Sequence, residues 1–152
     1  MTSLLRISEA TALALHTMTY LARNVEEPVS TREIAAALHA SEAHLAKVLQ
    51  RLAKAGLVTS QRGPGGGFLL ACPGTEITLL KVYETVEGPL RASHCLFQTP
   101  VCDGTGCIMG DLLARTQQQV RSYLSKTRLA DLVDNVDNNE REDVYAQEDH
   151  QD

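Results

Sequence analysis

Three of the four cysteines in this 152-residue chain, Cys95, Cys102 and Cys107, fall inside the thirteen residues CLFQTPVCDGTGC. Pro100, Gly104 and Gly106 interrupt regular structure there, so the three thiols sit on a pliable loop. Thiolates are soft ligands, and three of them on one loop suit a single soft metal centre. Three cysteines cannot all pair with each other, and Cys72 stands more than twenty residues upstream in a different element. The spacing therefore predicts a metal site with three thiolates and one ligand from elsewhere. Two rivals stay open. One is structural zinc, whose sites favour closely paired cysteines; the other is a metal-free switch in which two of the three thiols form a disulfide on oxidation.

The remaining chemistry-bearing residues are sparse. His16 lies on the first predicted helix, where it is either a partly buried, hydrogen-bonded side chain or a metal ligand. Glu9 reads as a first-turn acid that complements the helix dipole, and Cys72 as a small buried side chain, with a redox role as the alternative. His39, His44 and His150 gain no metal role from their spacing. No nucleophile and base pair, acid pair or cofactor-binding glycine motif stands out, so the chain is not expected to be an enzyme.

Charge is distributed unevenly. The chain carries a net −5, which would ordinarily argue against a nucleic-acid partner. Between Thr31 and Ala71, however, Arg32, Lys47, Arg51, Lys54 and Arg62 face only Glu33 and Glu42, a net +3, whereas Ala130–Asp152 has nine acids against Arg141, a net −8. A locally basic module precedes an acidic tail. No run approaches eighteen apolar residues and no signal-peptide pattern opens the chain, so the expectation is a cytoplasmic protein with reduced thiols.

The elements that must position these groups follow from capping and periodicity. Ser8 caps a helix to about Asn24 with Leu13, Met18 and Leu21 inward; Ser30 or Thr31 starts a second with Ile34 and Leu38 inward. Ser41 caps a third, in which Leu45, Val48, Leu49 and Leu52 form the apolar stripe and after which Gly56 stops the helix. Two helices joined by so short a break read as a helix-turn-helix. Leu57–Ser60 and Phe68–Leu70 read as two short strands around the tip QRGPGGG. Glycines at that tip would let it press against a nucleic-acid backbone and carry Arg62 to a phosphate or the minor groove. The whole is a winged helix, mainly α with a small β-hairpin. A phosphate-cradling nucleotide loop would need a helix and Lys-Ser or Lys-Thr after the glycines, and a strand is predicted there.

Thr78 then caps a short helix with Leu79, Val82, Tyr83 and Val86, ended by Gly88-Pro89. After the cysteine loop Asp111 opens a long helix to about Ser125, with Leu112, Leu113, Thr116, Val120, Tyr123 and Leu124 on one side. Such a stripe needs a partner, which is either a second subunit or the chain's own domain. Thr127–Val133 reads as a last helical turn or two, and the acidic remainder as disordered. The predicted organisation is a DNA-binding domain over 8–75, a short helix and cysteine loop over 76–110, a dimerisation helix over 111–133 and a tail over 134–152.

LAKVLQRLAKAGLVTSQRGPGGGFLLA, the three-cysteine loop and TRLADLV together resemble the winged-helix iron–sulfur transcription regulators that include IscR, NsrR and RirA. The resemblance covers about residues 8 to 133. It implies a homodimeric regulator, by expectation a repressor, that binds an operator in double-stranded DNA under control of a cluster sensing redox state, nitric oxide or iron supply. A 2Fe–2S cluster is expected over a 4Fe–4S one. Cys95, Cys102 and Cys107 match the family's cluster cysteines. Ser41, Glu42, His44 and Lys47 match the exposed start of its recognition helix, and Arg62 with Gly63 its wing. Where IscR has a histidine three residues after the last cysteine this chain has Gly110, and where NsrR has a ligand aspartate on helix one it has Ala12. His16, one turn beyond Ala12 on the same helical face, is the preferred fourth ligand, donated by the partner subunit; Glu9 is second and His94 third.

Overall fold

In the computed structural model, which describes residues 7–91, 95–97, 99–103 and 105–133, five helices and one hairpin follow each other. They are α1 (Glu9–Arg23), α2 (Thr31–Ala37), α3 (Glu42–Lys54), β1 (Val58–Gln61), β2 (Gly67–Leu70), α4 (Leu79–Glu87) and α5 (Leu112–Lys126). Each of the first four helices starts where a hydroxyl can accept from a backbone N–H that has no partner within the helix. Ser8 accepts from Thr11 N–H, Ser41 from His44 N–H and Thr78 from Lys81 N–H. Ser30 makes a reciprocal capping box with Glu33. The Ser30 hydroxyl, donating to Glu33 Oε2 at 2.6 Å, and the Ser30 N–H, donating to the same oxygen at 2.9 Å, hold the exposed Glu33 carboxyl below its ordinary range.

The core lies between α1, α3 and α4. Met18, Leu21, Ile34, Leu45, Leu49, Leu52, Ile77 and Val82 are fully buried there, together with Leu129 from the segment after α5. At roughly 1.5–3 kcal/mol for each large aliphatic side chain, this cluster is the main stabilising term. The α3 stripe is buried as the periodicity predicts.

Two helix ends use the same device with different residues. After α3, Gly56 N–H donates to Ala53 O and Leu57 N–H to Leu52 O, with Gly56 at φ +73°. After α2, His39 N–H donates to Ala36 O and Ala40 N–H to Ala35 O, with His39 at φ +51°. Both are Schellman closures, which need a left-handed residue. The histidine at the helix-turn-helix corner adopts it without a glycine's freedom.

The hairpin is antiparallel, pairing Val58 with Leu70 and Gln61 with Gly67. The strands are displaced by one residue from the predicted bounds. Val29 adds a third, one-residue rung: its N–H donates to Phe68 O at 3.0 Å and Phe68 N–H returns to Val29 O at 2.8 Å. That rung corrects the reading of the glycine run. A Cβ on Gly67 would overlap the Val29 carbonyl, and one on Gly66 would overlap the Gln61 carbonyl oxygen. Gly66 and Gly67 are therefore dictated by packing within the hairpin. Only Gly63 and Gly65 face open space. Gly66 N–H donates to Gly63 O at 2.9 Å, with Pro64 and Gly65 (φ +74°) between, which makes a type II turn.

At α5 the expected cap is absent: Asp111 makes no capping bond and instead pairs with Arg115 at 3.0 Å. The predicted single stripe also splits. Leu113, Gln117 and Leu124 turn inward and the helix packs on α4, while Leu112 and Tyr123, eleven residues apart on one face, are exposed. Residues 129–133 are helical. They are held by Leu129 N–H to Ile77 O, Ala130 N–H to Gly74 O and the Arg128 guanidinium on Thr75 O. No helix among the described residues is long and apolar enough to cross a membrane. The tail predicted over 134–152 lies outside the described residues.

Candidate functional site

Two groups of candidate residues lie on different elements, one on α3 and the hairpin and the other on the loop between α4 and α5. In the first group, Ser41, Glu42 and Lys47 are exposed on the first turns of α3, and His44 is half-buried. Leu45, Val48, Leu49 and Leu52 anchor the opposite face in the core, so the exposed face is presented without freedom to rotate. The Ser41 oxygen accepts from His44 N–H at 3.4 Å, which leaves its own O–H able to donate to a phosphate. Arg62 and Gly63 are exposed on the wing. No ion pair or hydrogen bond among the described residues engages the charge of Arg32, Lys47 or Arg62. Recognition helix and wing thus present uncompensated positive charge from neighbouring elements, the pattern that neutralises phosphates.

The cysteine loop hangs between α4 and α5. Its entrance is clamped: Leu90 N–H donates to Glu84 Oε1 at 3.1 Å, and Arg121 from α5 donates to Leu90 O at 3.0 Å and lies 3.6 Å from Glu84 Oε1. Inside the loop, Asp103 accepts from Thr105 N–H at 2.9 Å and Thr105 Oγ1 at 2.7 Å. Both bonds favour the charged form and hold the Asp103 carboxyl below its ordinary range. Gly110 N–H donates to Cys107 O. Cys95 and Cys107 are half-buried and Cys102 is exposed, and no disulfide joins any of the four cysteines. Among the described residues, no three His, Cys, Asp or Glu side chains converge on a metal-sized point. The donor set, three thiols on the loop between α4 and α5, fits a soft centre by its chemistry.

His16 is exposed on α1, and its Nδ1 lies 2.8 Å from Ala12 O. A carbonyl oxygen only accepts, so Nδ1 carries a hydrogen, and in the neutral ring the lone pair is then on Nε2. A backbone carbonyl on one ring nitrogen orients the other for a metal in just this way. Glu9 is exposed at the first turn of α1, with Oε1 3.8 Å from His44 Nδ1. The structure thus brings Glu9 to the recognition helix. His94 lies outside the described residues.

One tie that the sequence does not disclose joins α4 to α1. Glu87, the last residue of α4, accepts from Ser8 N–H at 2.9 Å and from the fully buried Thr11 Oγ1 at 2.5 Å. The helix that leads into the cysteine loop is thereby bound to the first turn of α1. Partners 76 and 79 residues apart leave no local signal, whereas the Pro64-Gly65 turn could have been read from its dipeptide.

Residues 7–135 match the model of a protein family described as "Rrf2: Iron-dependent Transcriptional regulator". The HTH-type transcriptional regulator IscR of Serratia proteamaculans is 33% identical over 112 residues, 74% of this chain and 68% of that protein. Among solved structures, CymR (YrzC), described as the global cysteine regulator of B. subtilis, superposes with a TM-score of 0.75 at 30% identity, covering 86% of this chain and 97% of that one. IscR of T. potens superposes at 0.69 with 26% identity, covering 87% and 88%.

Proposed function

Because the chain belongs to the Rrf2 family of iron-dependent transcriptional regulators, we propose that it is a homodimeric DNA-binding regulator whose operator affinity is set by an iron–sulfur cluster on Cys95, Cys102 and Cys107. The observation that carries this reading is the placement of three cysteines in one loop clamped to α4 and α5, with α4 tied through Glu87 to α1. In this reading residues 8–75 are the reading head, 76–110 the sensor, and 111–133 the dimerisation element.

His16 from α1 of the second subunit supplies the fourth ligand, through an Nε2 oriented by the bond from Nδ1 to Ala12 O. Exposed apolar side chains support the dimer: Leu96, Phe97, Val101 and Ile108 flank the cysteines, and Leu112 and Tyr123 line the outer face of α5. When bound, the cluster supplies a centre whose charge and ligation change with redox state, nitric oxide or iron supply; a 2Fe–2S type suits four ligands from two chains. Gathering the three thiolates orders the loop. Leu90, held by Arg121 and Glu84, passes that change to the α4–α5 pair, and Glu87 passes it to α1 and the head. Half-sites on B-DNA recur about every 34 Å, so a small rotation of one head against the other weakens simultaneous docking. A coupling of roughly 1–3 kcal/mol alters affinity several-fold or more.

A metal-free thiol switch is the second reading, favoured by the exposed Cys102 and by the similarity to a protein described as a cysteine regulator. One experiment separates the two. Protein prepared without oxygen is expected to contain iron and absorb in the visible, and His16→Ala to change that spectrum while the helical content stays the same. Protein without iron that gains one disulfide and a mobility shift after peroxide would refute the cluster and support the switch.

A further inference from the structure

The acidic end of the chain has a destination that its charge and its point of exit specify. Residues 134–152 carry eight Asp and Glu against Arg141, a net −7, whereas residues 1–133 carry thirteen Lys and Arg against eleven Asp and Glu, a net +2. The sign of the whole protein is set by its last nineteen residues.

The cations of the folded part differ in how they are used. Arg115, Arg121 and Arg128 near α5 are engaged by Asp111, by Glu84 and Leu90 O, and by Thr75 O. Arg32, Lys47 and Arg62 on the reading head are exposed, and no ion pair or hydrogen bond among the described residues satisfies them. Nine Lys and Arg side chains of the described residues have no such contact; five of them (Arg32, Lys47, Arg51, Lys54 and Arg62) lie on the wing, α2 and α3, and the others are Arg23, Lys81, Arg91 and Lys126.

The chain leaves the described structure from a segment bonded to the continuation of wing strand β2. Leu129 and Ala130 are bonded to Ile77 and Gly74, on the segment that continues from wing strand β2. Gly74 is ten residues from Pro64 at the wing tip, so no more than about 35 Å separates them. Nineteen residues span up to roughly 65 Å extended and about 25 Å as a flexible chain. The acidic segment reaches the wing without extending fully, at an effective concentration on the order of millimolar.

We propose that residues 134–152 dock on their own reading head, against Arg62 of the wing, Lys47 of α3 and Arg32 of α2, and hold that surface in competition with DNA phosphates. The consequence for DNA rests on the function proposed above, but the contact does not. Such a segment discriminates between duplexes: a sequence bound only through phosphates is displaced by the tethered carboxylates, while an operator read through base edges keeps contacts that the tail cannot replace.

The test uses the full-length protein with its eight tail carboxylates changed to the corresponding amides. In backbone amide spectra without DNA, the change is expected to shift Arg32, Lys47, Arg62, Gly63 and Gly65, and 500 mM salt to abolish the difference. Affinity for a random 20-base-pair duplex is expected to rise about tenfold at 50 mM salt and to converge to within about twofold at 300 mM. Shifts confined to another basic surface, such as the groove lined by Arg51, Lys54 and Lys81, would overturn the assigned seat. Unchanged duplex affinity would overturn the competition. Movement of the wing amides in a protein that binds no duplex with either tail would support the contact and refute the DNA-binding reading instead.

Discussion

Gly67→Ala should disable the wing, for a reason unconnected with DNA. The Cβ of alanine would overlap the carbonyl carbon and oxygen of Val29 and stand 2.8 Å from Ser30 N. All three neighbours are backbone, so no side-chain rotation relieves the overlap. Restoring an ordinary carbon–oxygen separation needs a displacement on the order of 1 Å. The same displacement stretches the two Val29–Phe68 bonds from 3.0 and 2.8 Å past hydrogen-bonding range. Two net backbone bonds at 0.5–1.5 kcal/mol each, with residual overlap, give a loss of about 2–3 kcal/mol. For a domain of this size that corresponds to roughly 6–12 °C in Tm. The control is Gly63→Ala, whose Cβ meets nothing within 4 Å but whose φ is +98°; its strain of about 1 kcal/mol stays at the tip. Thermal denaturation followed by circular dichroism, with duplex binding measured beside it, separates the two. Gly67→Ala should lose both stability and binding, and Gly63→Ala mainly binding. A Gly67→Ala protein that melts within 2 °C of the parent would refute the argument that the Val29 rung dictates this glycine.

Three other outcomes follow from the geometry. His39→Gly removes the cost of a left-handed β-carbon at φ +51° and should stabilise by about 0.5–1 kcal/mol after allowing for the freer unfolded chain, whereas Gly56→Ala at φ +73° should destabilise by a similar amount; denaturant midpoints of opposite sign are the check. Glu87→Ala strands Ser8 N–H and leaves the buried Thr11 hydroxyl with Ser8 Oγ at 3.1 Å, and should cost about 1–3 kcal/mol, while Glu87→Gln keeps an acceptor and costs less; if the protein holds a cluster as proposed, the Ala variant should also narrow the difference in operator affinity between loaded and stripped forms. The Glu33 carboxyl is held below its ordinary range by Ser30, so its contribution is complete above the unfolded value of 4.5 and fades as the pH falls through the lower folded value; the stability advantage of wild type over Glu33→Gln should be present at pH 7 and shrink in acid melts taken progressively below pH 4.5.

Much of the fold was legible because its signals are local. Ser8, Ser30, Ser41 and Thr78 cap helices as side-chain chemistry predicts, and the stripe Leu45, Val48, Leu49 and Leu52 is buried. Asp111 makes no cap because its backbone, at φ −97° and ψ 5°, departs from the extended conformation of a capping residue, and its carboxylate pairs with Arg115. The α5 stripe was drawn as one face because periodicity counts apolar residues and cannot assign them to partners; Leu113 and Leu124 pack inside while Leu112 and Tyr123 face out.

The amino-acid sequence by itself determined the helix-turn-helix and hairpin order, the three-cysteine loop and the uneven charge, since each depends on residues near one another in the chain. The tertiary contacts alone show why Gly67 must be glycine, that Glu87 ties α4 to α1, that Arg121 clamps the mouth of the cysteine loop, and that residues 129–130 are bonded to the segment after β2. Each of these contacts joins residues dozens of positions apart, and nothing in the identity of one partner names the other until the core has brought them together.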